Sequence, residues 1–261
     1  MPTVARVSVT PVKSMALSHP DRVTLSPAGL DENRRFFLVD ASDALFNGSD
    51  SGRLMQVQPR YDAAAEHLAL RFPDGTVAEG NATANGAPIV VGFYGRDVAS
   101  HLVEGPFAEA VSRFLDRPVR LARCDRPGDG VDVHPLTLVS FASVADLARR
   151  AGHEGQLDGR RFRMNIDLDH CEPFEEDTWE GRTIHIGEPG VGAQLRVLEK
   201  VPRCVVTTLD PDTGDKDFDT LKQIAAFRPV VDGGLPFGMY AEVVTPGEMA
   251  LGDAVSVATD G

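Results

Sequence analysis

Short runs of alternating or clustered apolar residues dominate the first third of the chain. Apolar and polar residues alternate over residues 4–9, and apolar residues cluster over 36–39, 67–72 and 89–91. Runs of this length, bounded by glycine, proline and asparagine, are typical of β-strands. The pattern therefore predicts that this third of the chain is built from strands.

Two turn motifs separate these runs. Pro73-Asp74-Gly75 follows the third run, and Asn85-Gly86 precedes the fourth. Asparagine and glycine both accept a positive φ, so Asn85-Gly86 is a strong signal for a tight turn between two strands. Together, runs and turns predict an antiparallel sheet or a small barrel.

Helical periodicity begins later in the chain. Apolar residues repeat on one face over 107–115, directly after Pro106, and proline is favoured at the start of a helix. Ser143 is predicted to cap a second helix that ends at Gly152, and a third short helix is predicted near 220–227. The other predicted strands of this part cover 119–122, 162–168, 183–186, 194–198, 204–209, 239–244 and 255–257.

These elements predict a strand-dominated α+β protein of two domains. The first helix marks the boundary, so a β-rich N-terminal domain is expected at residues 1–106 and a second domain at 107–261. A chain of 261 residues, 42% of them hydrophobic, is long enough for two domains with ordinary cores. The 25 glycines and 18 prolines are spread throughout, which agrees with many short strands and turns.

The formal net charge of −13 disfavours partners that are themselves polyanionic. Such a chain repels phosphate backbones and anionic lipid head groups, so we expect neither a nucleic-acid partner nor a membrane partner. No apolar run approaches the roughly 20 residues of a membrane span, and the first residues lack the basic and apolar regions of a signal peptide. We expect a cytoplasmic protein.

Cys204 has the most reactive surroundings of the three cysteines, Cys124, Cys171 and Cys204, none of which is spaced like a zinc or redox motif. It follows Pro202-Arg203 at the predicted entrance of a strand, and a neighbouring guanidinium favours the thiolate. A thiolate binds a soft metal or attacks an electrophile. On position alone, a buried structural cysteine is the commoner alternative.

Basic and hydroxyl side chains recur at the ends of predicted strands. Lys13-Ser14 follows the first strand, Asn33-Arg34-Arg35 precedes the second, and residues 161–165 open a later one. If these ends converge, they form a pocket for a phosphate or another anion, because arginine and lysine give charge-assisted hydrogen bonds. The alternative is solvated surface charge, and convergence in space separates the two interpretations.

His134 lies beside a turn-rich segment, residues 125–132, that is predicted to be a surface loop able to overhang such a pocket. A surface or capping histidine is an equally good alternative. Residues 210–215 resemble a calcium loop but lack the distal bidentate glutamate, so a hairpin turn is predicted there. The sequence contains no phosphate-binding P-loop, dinucleotide fingerprint or nucleophile elbow.

Several segments together resemble the MOSC family in its two-part form. The match runs in order through nearly the whole chain, and the block around Cys204 is its most specific part. The resemblance implies a MOSC N-terminal β-rich domain at 1–106 and a MOSC domain, built on a β-barrel, at 107–261, which together enclose a molybdenum cofactor. The matching segments are 11–14, 33–34, 138–147, 163–166, 176–179, 202–214 and 237–247.

By the same resemblance, Cys204 is implied to be the catalytic residue and the protein thiolate on molybdenum. The resemblance therefore favours a functional role for Cys204 over the structural role that its position alone favours. The residues implied to bind the pterin and phosphate of the cofactor, or to lie close to it, are Lys13, Ser14, Arg34, Asp132, His134, Arg163, Asn165, Arg203 and Tyr240.

The pattern is similar to that of the mitochondrial amidoxime-reducing components and their bacterial counterparts. It implies a molybdenum-dependent oxidoreductase that reduces N-oxygenated compounds. Because the clustered cysteines of a fused iron–sulfur domain are absent from the sequence, electrons are expected from a separate ferredoxin- or cytochrome-like protein. Two alternatives stay open, namely a sulfur carrier or transferase with a persulfide on Cys204, and a cofactor-binding module without turnover. Pyridoxal phosphate binding is a further association that the family leaves open.

Overall fold

The computed structural model describes residues 1–188, 191–231 and 233–258. In chain order the strands are β1 (Thr3–Val7), β2 (Arg22–Ser26), β3 (Gly29–Leu30), β4 (Phe36–Val39), β5 (Leu45–Phe46), β6 (Gln58–Asp62), β7 (His67–Arg71), β8 (Val77–Asn81), β9 (Pro88–Phe93), β10 (Arg96–Leu102), β11 (Arg120–Cys124), β12 (Leu136–Ser140), β13 (Ile166–Asp169), β14 (Thr183–Ile186), β15 (Ala193–Arg203), β16 (Leu235–Thr245), β17 (Gly247–Ala250) and β18 (Val255–Val257). The α-helices are α1 (Phe107–Leu115), α2 (Phe141–Arg150) and α3 (Thr220–Ala225). The predicted strand-dominated α+β class is confirmed. Over the described ranges, the helices are too short or too polar to traverse a lipid bilayer.

The largest sheet has seven strands in the order β1-β13-β12-β16-β15-β14-β18. Its two edges meet, because the amide of Val4 donates to the carbonyl of Asp253 at 2.9 Å and the amide of Val255 donates to the carbonyl of Pro2 at 2.8 Å. The sheet thus forms a nearly closed barrel. Aliphatic side chains and Trp179 fill its interior.

Three smaller antiparallel sheets are built mostly from the first third of the chain. Their orders are β5-β4-β11-β10-β9, β6-β7-β8 and β17-β2-β3. Helix α1 has the predicted bounds and packs Phe107 and Val111 into a core that includes Leu68 and Phe72. The prediction of an antiparallel arrangement in this third of the chain is confirmed.

Strands cross the predicted domain boundary in both directions. β1, from the first 106 residues, is an edge strand of the seven-stranded sheet and pairs with β13. β11, which follows the boundary, lies between β4 and β10 in the five-stranded sheet. The domain boundary between residues 106 and 107 stays a prediction. In the structure, each of the two parts contributes a strand to a sheet of the other.

The strand predicted over residues 204–209 is wrong. β15 ends at Arg203, and a 3₁₀ turn follows over Val205–Thr208. The hydroxyl of Thr207 donates to the carbonyl of Cys204 at 2.9 Å. Because local side chains satisfy carbonyls here, the segment needs no partner strand, and Cys204 lies at a strand exit.

Helix α2 begins one turn earlier than the sequence predicts. Ser140 is its N-cap, since its Oγ accepts from the amide of Ser143 at 3.1 Å. The hydroxyl of Ser143, the predicted cap, instead donates to the buried Glu176 carboxylate at 2.7 Å. The hydroxyl of Ser143 is therefore engaged by the buried Glu176, and Ser140 takes the capping role that the sequence assigns to Ser143.

Two further local predictions are also wrong. The strand predicted over 162–168 starts only at Ile166, because the preceding residues form a 3₁₀ turn that ends with Arg163 at a φ of 53°. Neither residue of Asn85-Gly86 has a positive φ. Glycine is required there for another reason, since a Cβ on Gly86 would lie 2.8 Å from the carbonyl oxygen of Leu102.

Candidate functional site

Nine of the ten site residues predicted from the sequence line a single cavity, so the basic strand ends do converge. The cavity lies among β12, β15, β16, the segments that follow β1 and precede β4 and β13, and the turn between β9 and β10. It has a volume of about 80 Å³ and opens to solvent on one side, which we call its mouth, where Cys204 is exposed. The nine residues are Lys13, Ser14, Arg34, Asp132, His134, Arg163, Arg203, Cys204 and Tyr240.

Asn165 is the tenth residue, and it does not line the cavity. Its Oδ1 accepts hydrogen bonds from the amide and the hydroxyl of Thr137, both at 3.1 Å, and its Nδ2 donates to the carbonyl of Ser8 at 3.3 Å. The side chain is buried and joins β12 to the end of β1. Its role in this structure is to hold strands together.

Pairing between the segment after β1 and the start of β4 brings Lys13 and Arg34 together. The amide of Lys13 donates to the carbonyl of Phe36 at 2.8 Å, and the amide of Arg34 donates to the carbonyl of Thr10 at 2.6 Å. Residues 21 positions apart in the sequence thus enter the same wall of the cavity.

Left-handed backbone recurs around this cavity. Ser14, Arg34, Tyr94 and Arg163 have φ values of 70°, 54°, 43° and 53°. A residue with a Cβ pays about 1 to 2 kcal/mol for this conformation, and such residues gather where function requires a particular side-chain direction. All four of these residues line the cavity with their side chains.

Asp132 carries the negative charge that faces these cations. Lys13 Nζ donates to Asp132 Oδ1 and, at 3.1 Å, to the carbonyl of Gly130. Arg34 Nη1 lies 3.7 Å from the same carboxylate oxygen. Partial burial acts to raise the pKa of Asp132, but Lys13 and Arg34 outweigh it and hold that pKa well below its usual range.

The cations themselves are held in surroundings that disfavour charge. Burial lowers the pKa of Lys13 to about 8, against the opposing effect of Asp132. Burial, together with the nearby Arg34, lowers the pKa of Arg163 to about 9. Burial also lowers the pKa of Arg203. We call Lys13, Arg34, Arg163 and Arg203 the cation cluster; in their charged forms these residues carry four positive charges against the single carboxylate of Asp132, which favours an anionic ligand.

Arg203 is only partly satisfied by the protein. Its Nη2 donates to the carbonyl of Phe162 at 2.5 Å, and its Nη1 lies 3.4 Å from Met164 Sδ. Its Nε is buried and has no hydrogen-bond partner among the residues that the structure describes. By contrast Arg161, which also lines the cavity, is paired in a bidentate manner with Asp217 at 2.9 and 2.8 Å.

Cys204 stands at the mouth of the cavity as an exposed thiol. The alternative of a buried structural cysteine is therefore wrong for this residue, whereas Cys124 is buried. Cys204 has extended backbone, with φ −118° and ψ 178°, and caps the 3₁₀ turn that follows. Arg203, the cation that the sequence places next to Cys204, lines the same cavity.

His134 and Tyr240 form one side of the cavity. Their ring centroids are 5.0 Å apart in an edge-on arrangement, and His134 Nε2 lies 2.6 Å from Glu199 Oε1. Tyr240 is buried, and burial raises its pKa to about 12, with Asp132 adding to the effect. Its hydroxyl therefore stays protonated at neutral pH and can donate a hydrogen bond into the cavity.

Sequence reasoning missed two residues that shape the site. Arg96 donates to the carbonyls of Asp129, at 2.9 Å, and of Val131 and Asp132, and so ties down the loop that carries the carboxylate. Tyr94 lines the cavity with Lys13 Nζ 5.4 Å from its ring centroid. A Tyr-Gly pair between two apolar runs signals the turn, but nothing local signals that this turn meets the cavity.

The same residues agree with a comparison against protein families. The model of the MOSC domain matches residues 125–256. This is half of the chain, so the chain belongs to the MOSC domain family, as its motifs predict.

The names of several relatives refer to amidoxime reduction or to a molybdenum cofactor sulfurase. Mitochondrial amidoxime reducing component 2 of Rattus norvegicus is 37% identical over 132 residues, covering 48% of this chain and 37% of that protein. Mitochondrial amidoxime-reducing component 1 of Homo sapiens is 33% identical over 150 residues, covering 53% of this chain and 42% of that protein. Molybdenum cofactor sulfurase of Drosophila grimshawi is 27% identical over 98% of this chain and 34% of that protein. The chain thus matches less than half of the length of each of these relatives.

Among solved structures, the YuaD protein of Bacillus subtilis aligns with the whole chain and with 98% of its own, at a TM-score of 0.49 and 11% identity.

Proposed function

We propose that this protein is a molybdenum-cofactor-binding oxidoreductase that reduces N-hydroxylated compounds with electrons from a separate protein. One observation carries the proposal: an exposed thiol, Cys204, stands at the mouth of a cavity lined by the cation cluster and one carboxylate. The MOSC domain match and the relatives named for amidoxime reduction supply the reaction class.

The residues present fit such a cofactor chemically. The excess positive charge of the cation cluster suits a phosphate. The Nε of Arg203 is a buried donor for which the described part of the chain supplies no acceptor. The thiol of Cys204 is a soft ligand of the kind that a metal already bound by sulfur accepts. The cavity volume of about 80 Å³ admits only a few water molecules. A larger cofactor would therefore also extend into the solvent-exposed side of the cavity, where Cys204 lies.

The chain's own residues have distinct tasks in this proposal. Cys204 would bind the metal, while Lys13, Arg34 and Arg163 would hold the phosphate and pterin. The protonated hydroxyl of Tyr240 would donate a hydrogen bond to a polar group of the ligand. When bound, the cofactor supplies two-electron removal of oxygen from nitrogen, and the protein sets its position and access.

Metal content tests the proposal directly. Wild-type protein, expressed in a host that makes the cofactor, should contain close to one molybdenum per chain by mass spectrometry of the metal and should reduce an amidoxime with an artificial electron donor. Cys204→Ser should lose the activity and most of the metal. Cys171→Ser is the matched control, because Cys171 is half-buried and does not line the cavity. Molybdenum near zero in the wild-type protein would rule the proposal out.

A second candidate function is sulfur transfer by a persulfide on Cys204. It is favoured by the alignment of a molybdenum cofactor sulfurase over 98% of this chain and by the exposure of the thiol. Incubation with a cysteine desulfurase should then add one sulfur to the intact mass of the wild-type protein and of Cys171→Ser, but not to that of Cys204→Ser. An unchanged wild-type mass would exclude this candidate.

A further inference from the structure

A second hollow lies on the other side of Tyr240 from the cavity just described. Tyr240 lines both, so the two spaces share a wall. The second space has a volume of about 370 Å³. We call it the proline hollow, after the residues that give it its character: Val133, Pro202, Pro229, Val231, Pro236 and Tyr240.

The proline hollow is apolar because the charges at its edge are already paired. Glu199 pairs with His134 at 2.6 Å, and Lys200 with Glu180 at 2.8 Å. Arg228, the remaining charged residue of the lining, pairs with Asp177 at 2.7 Å. The surface that is left for a ligand is mostly hydrocarbon, which favours an apolar group over a charged one.

Two exposed valines, Val133 and Val231, line this hollow, and two more lie near lining residues in the sequence. Val133 and Val231 are 46% and 44% exposed, and Val205 and Val230 are 47% and 64% exposed. Val205 directly follows the thiol residue Cys204. Single exposed valines are ordinary, but two that line one hollow beside a candidate site, with two more near lining residues in the sequence, indicate a surface that a ligand covers.

The hollow and the thiol are joined through β15 and the wall that contains His134. Pro202 lies on β15 and pairs with Pro236 of β16, and Cys204 follows two residues later. His134 lines the cavity of the cation cluster, while its partner Glu199 lines the proline hollow. A molecule bound in the hollow therefore has its apolar part among prolines and valines, with Tyr240 and His134 between it and the cavity that also contains Cys204.

We infer that the proline hollow binds the hydrocarbon body of the substrate, so that the preferred substrates are uncharged N-hydroxylated compounds with an aromatic ring or a similar apolar group. This inference rests on the proposed function. A space of about 370 Å³ lies within the range of small-molecule pockets and accommodates one or two rings. Small hydrophilic substrates leave it unfilled and gain nothing from it.

Val231→Trp tests the inference by filling the hollow. Val231 is 44% exposed and lines the hollow but not the cavity of the cation cluster, so a larger side chain there would occupy the hollow. Val90→Trp is the matched control, because Val90 is 65% exposed on β9 and lies outside both spaces. The cofactor-loaded proteins are compared with benzamidoxime, which has a phenyl ring, and with acetamidoxime, which has a methyl group in its place.

Wild-type protein and Val90→Trp should share the same preference in kcat/KM for benzamidoxime over acetamidoxime. In Val231→Trp this preference should fall at least about tenfold, through a higher KM for benzamidoxime, because the phenyl ring loses its apolar surroundings. Turnover of acetamidoxime should be retained, which also shows that the variant folds and holds its cofactor. An unchanged preference, or an equal loss with both substrates, would overturn the inference and leave the proposed function standing.

Binding gives a second readout that needs no catalysis. Saturation-transfer NMR with cofactor-free protein should show transfer to the phenyl protons of benzamidoxime for wild type and Val90→Trp, and none for Val231→Trp. If the loaded protein reduces neither amidoxime, the proposed function fails. The loss or persistence of phenyl transfer in Val231→Trp still decides whether the hollow binds the ring.

Discussion

The buried amine of Lys13 should make the stability of the protein rise with pH. Burial lowers its pKa from 10.5 to about 8 in the folded state. Between these two values the unfolded chain binds one proton more than the folded one, so the free energy of unfolding increases by about 1.4 kcal/mol per pH unit. Below about pH 8 the folded protein carries the full cost of the buried charge, and above about pH 10.5 that cost has disappeared.

Replacement of Lys13 by methionine removes this dependence while keeping a side chain of similar length. From about pH 7 to about pH 9.5 the wild-type protein should gain about 2 kcal/mol of unfolding free energy relative to Lys13→Met, since one site titrates between the two pKa values. Urea titrations at several pH values, followed by the fluorescence of the single tryptophan, Trp179, measure both proteins.

The comparison between the two proteins isolates the Lys13 contribution. Burial raises the pKa of Cys124 and that of Cys171 to about 12, so both thiols oppose the gain above their ordinary pKa. The lowered pKa of Arg163, about 9, adds to the gain instead. All three groups are present in wild type and variant alike, so their contributions largely cancel in the difference. If the unfolding free energies of the two proteins changed with pH in parallel, the reasoning would be refuted. Such a result would show that burial does not lower the pKa of the Lys13 amine in the folded protein.

Two other substitutions test how the site is built. Gly130→Ala should destabilise the protein by more than about 2 kcal/mol in urea titration, because the new Cβ would lie 1.9 Å from the carbonyl oxygen of Arg34; Gly92→Ala, where a Cβ meets nothing within 4 Å, should change stability little. Equal effects of the two glycine substitutions would contradict the close approach. Thr207→Val should cost about 1 kcal/mol and lower the molybdenum content, since it removes the hydrogen bond to the carbonyl of Cys204; an unaltered metal content would show that this bond does not position the thiol.

The sequence predicts best those elements whose signal is local. The bounds of α1 follow from Pro106 and an apolar face that repeats with helical period, and the helix packs as that face requires. The segment after Cys204 shows the opposite case. Its run of valines and threonines has the composition of a strand, but hydroxyl groups that bond to nearby carbonyls turn it into 3₁₀ structure. The β-propensity of these residues does not include the competition between such local hydrogen bonds and pairing with a neighbouring strand.

The site could be assembled from the sequence only through the family resemblance. No local pattern shows that Lys13 and Arg34 enter one wall, because their backbone partners, the carbonyls of Phe36 and Thr10, are fixed by tertiary pairing. The same limit explains why Arg96 was missed. It is an ordinary strand residue until the fold brings the loop carrying Asp132 against it.

Asn165 shows the converse limit. The resemblance places it in the family's motif beside Arg163, yet its side chain faces Thr137 and Ser8 and leaves none of its oxygen's bonds for a ligand in the cavity. A motif can therefore contain residues that bind and residues that keep the binding residues in place, and the sequence alone does not separate them.

The exchange of β1 and β11 between the sheets restricts how the cavity can admit a large ligand. A hinge movement that separates the two parts is excluded, because each part contributes a strand to a sheet of the other. Such a movement would break the main-chain hydrogen bonds between β1 and β13 and between β11 and β4. A large ligand then enters through movements of side chains and loops at the mouth of the cavity, or it binds during folding, before the last strands have paired.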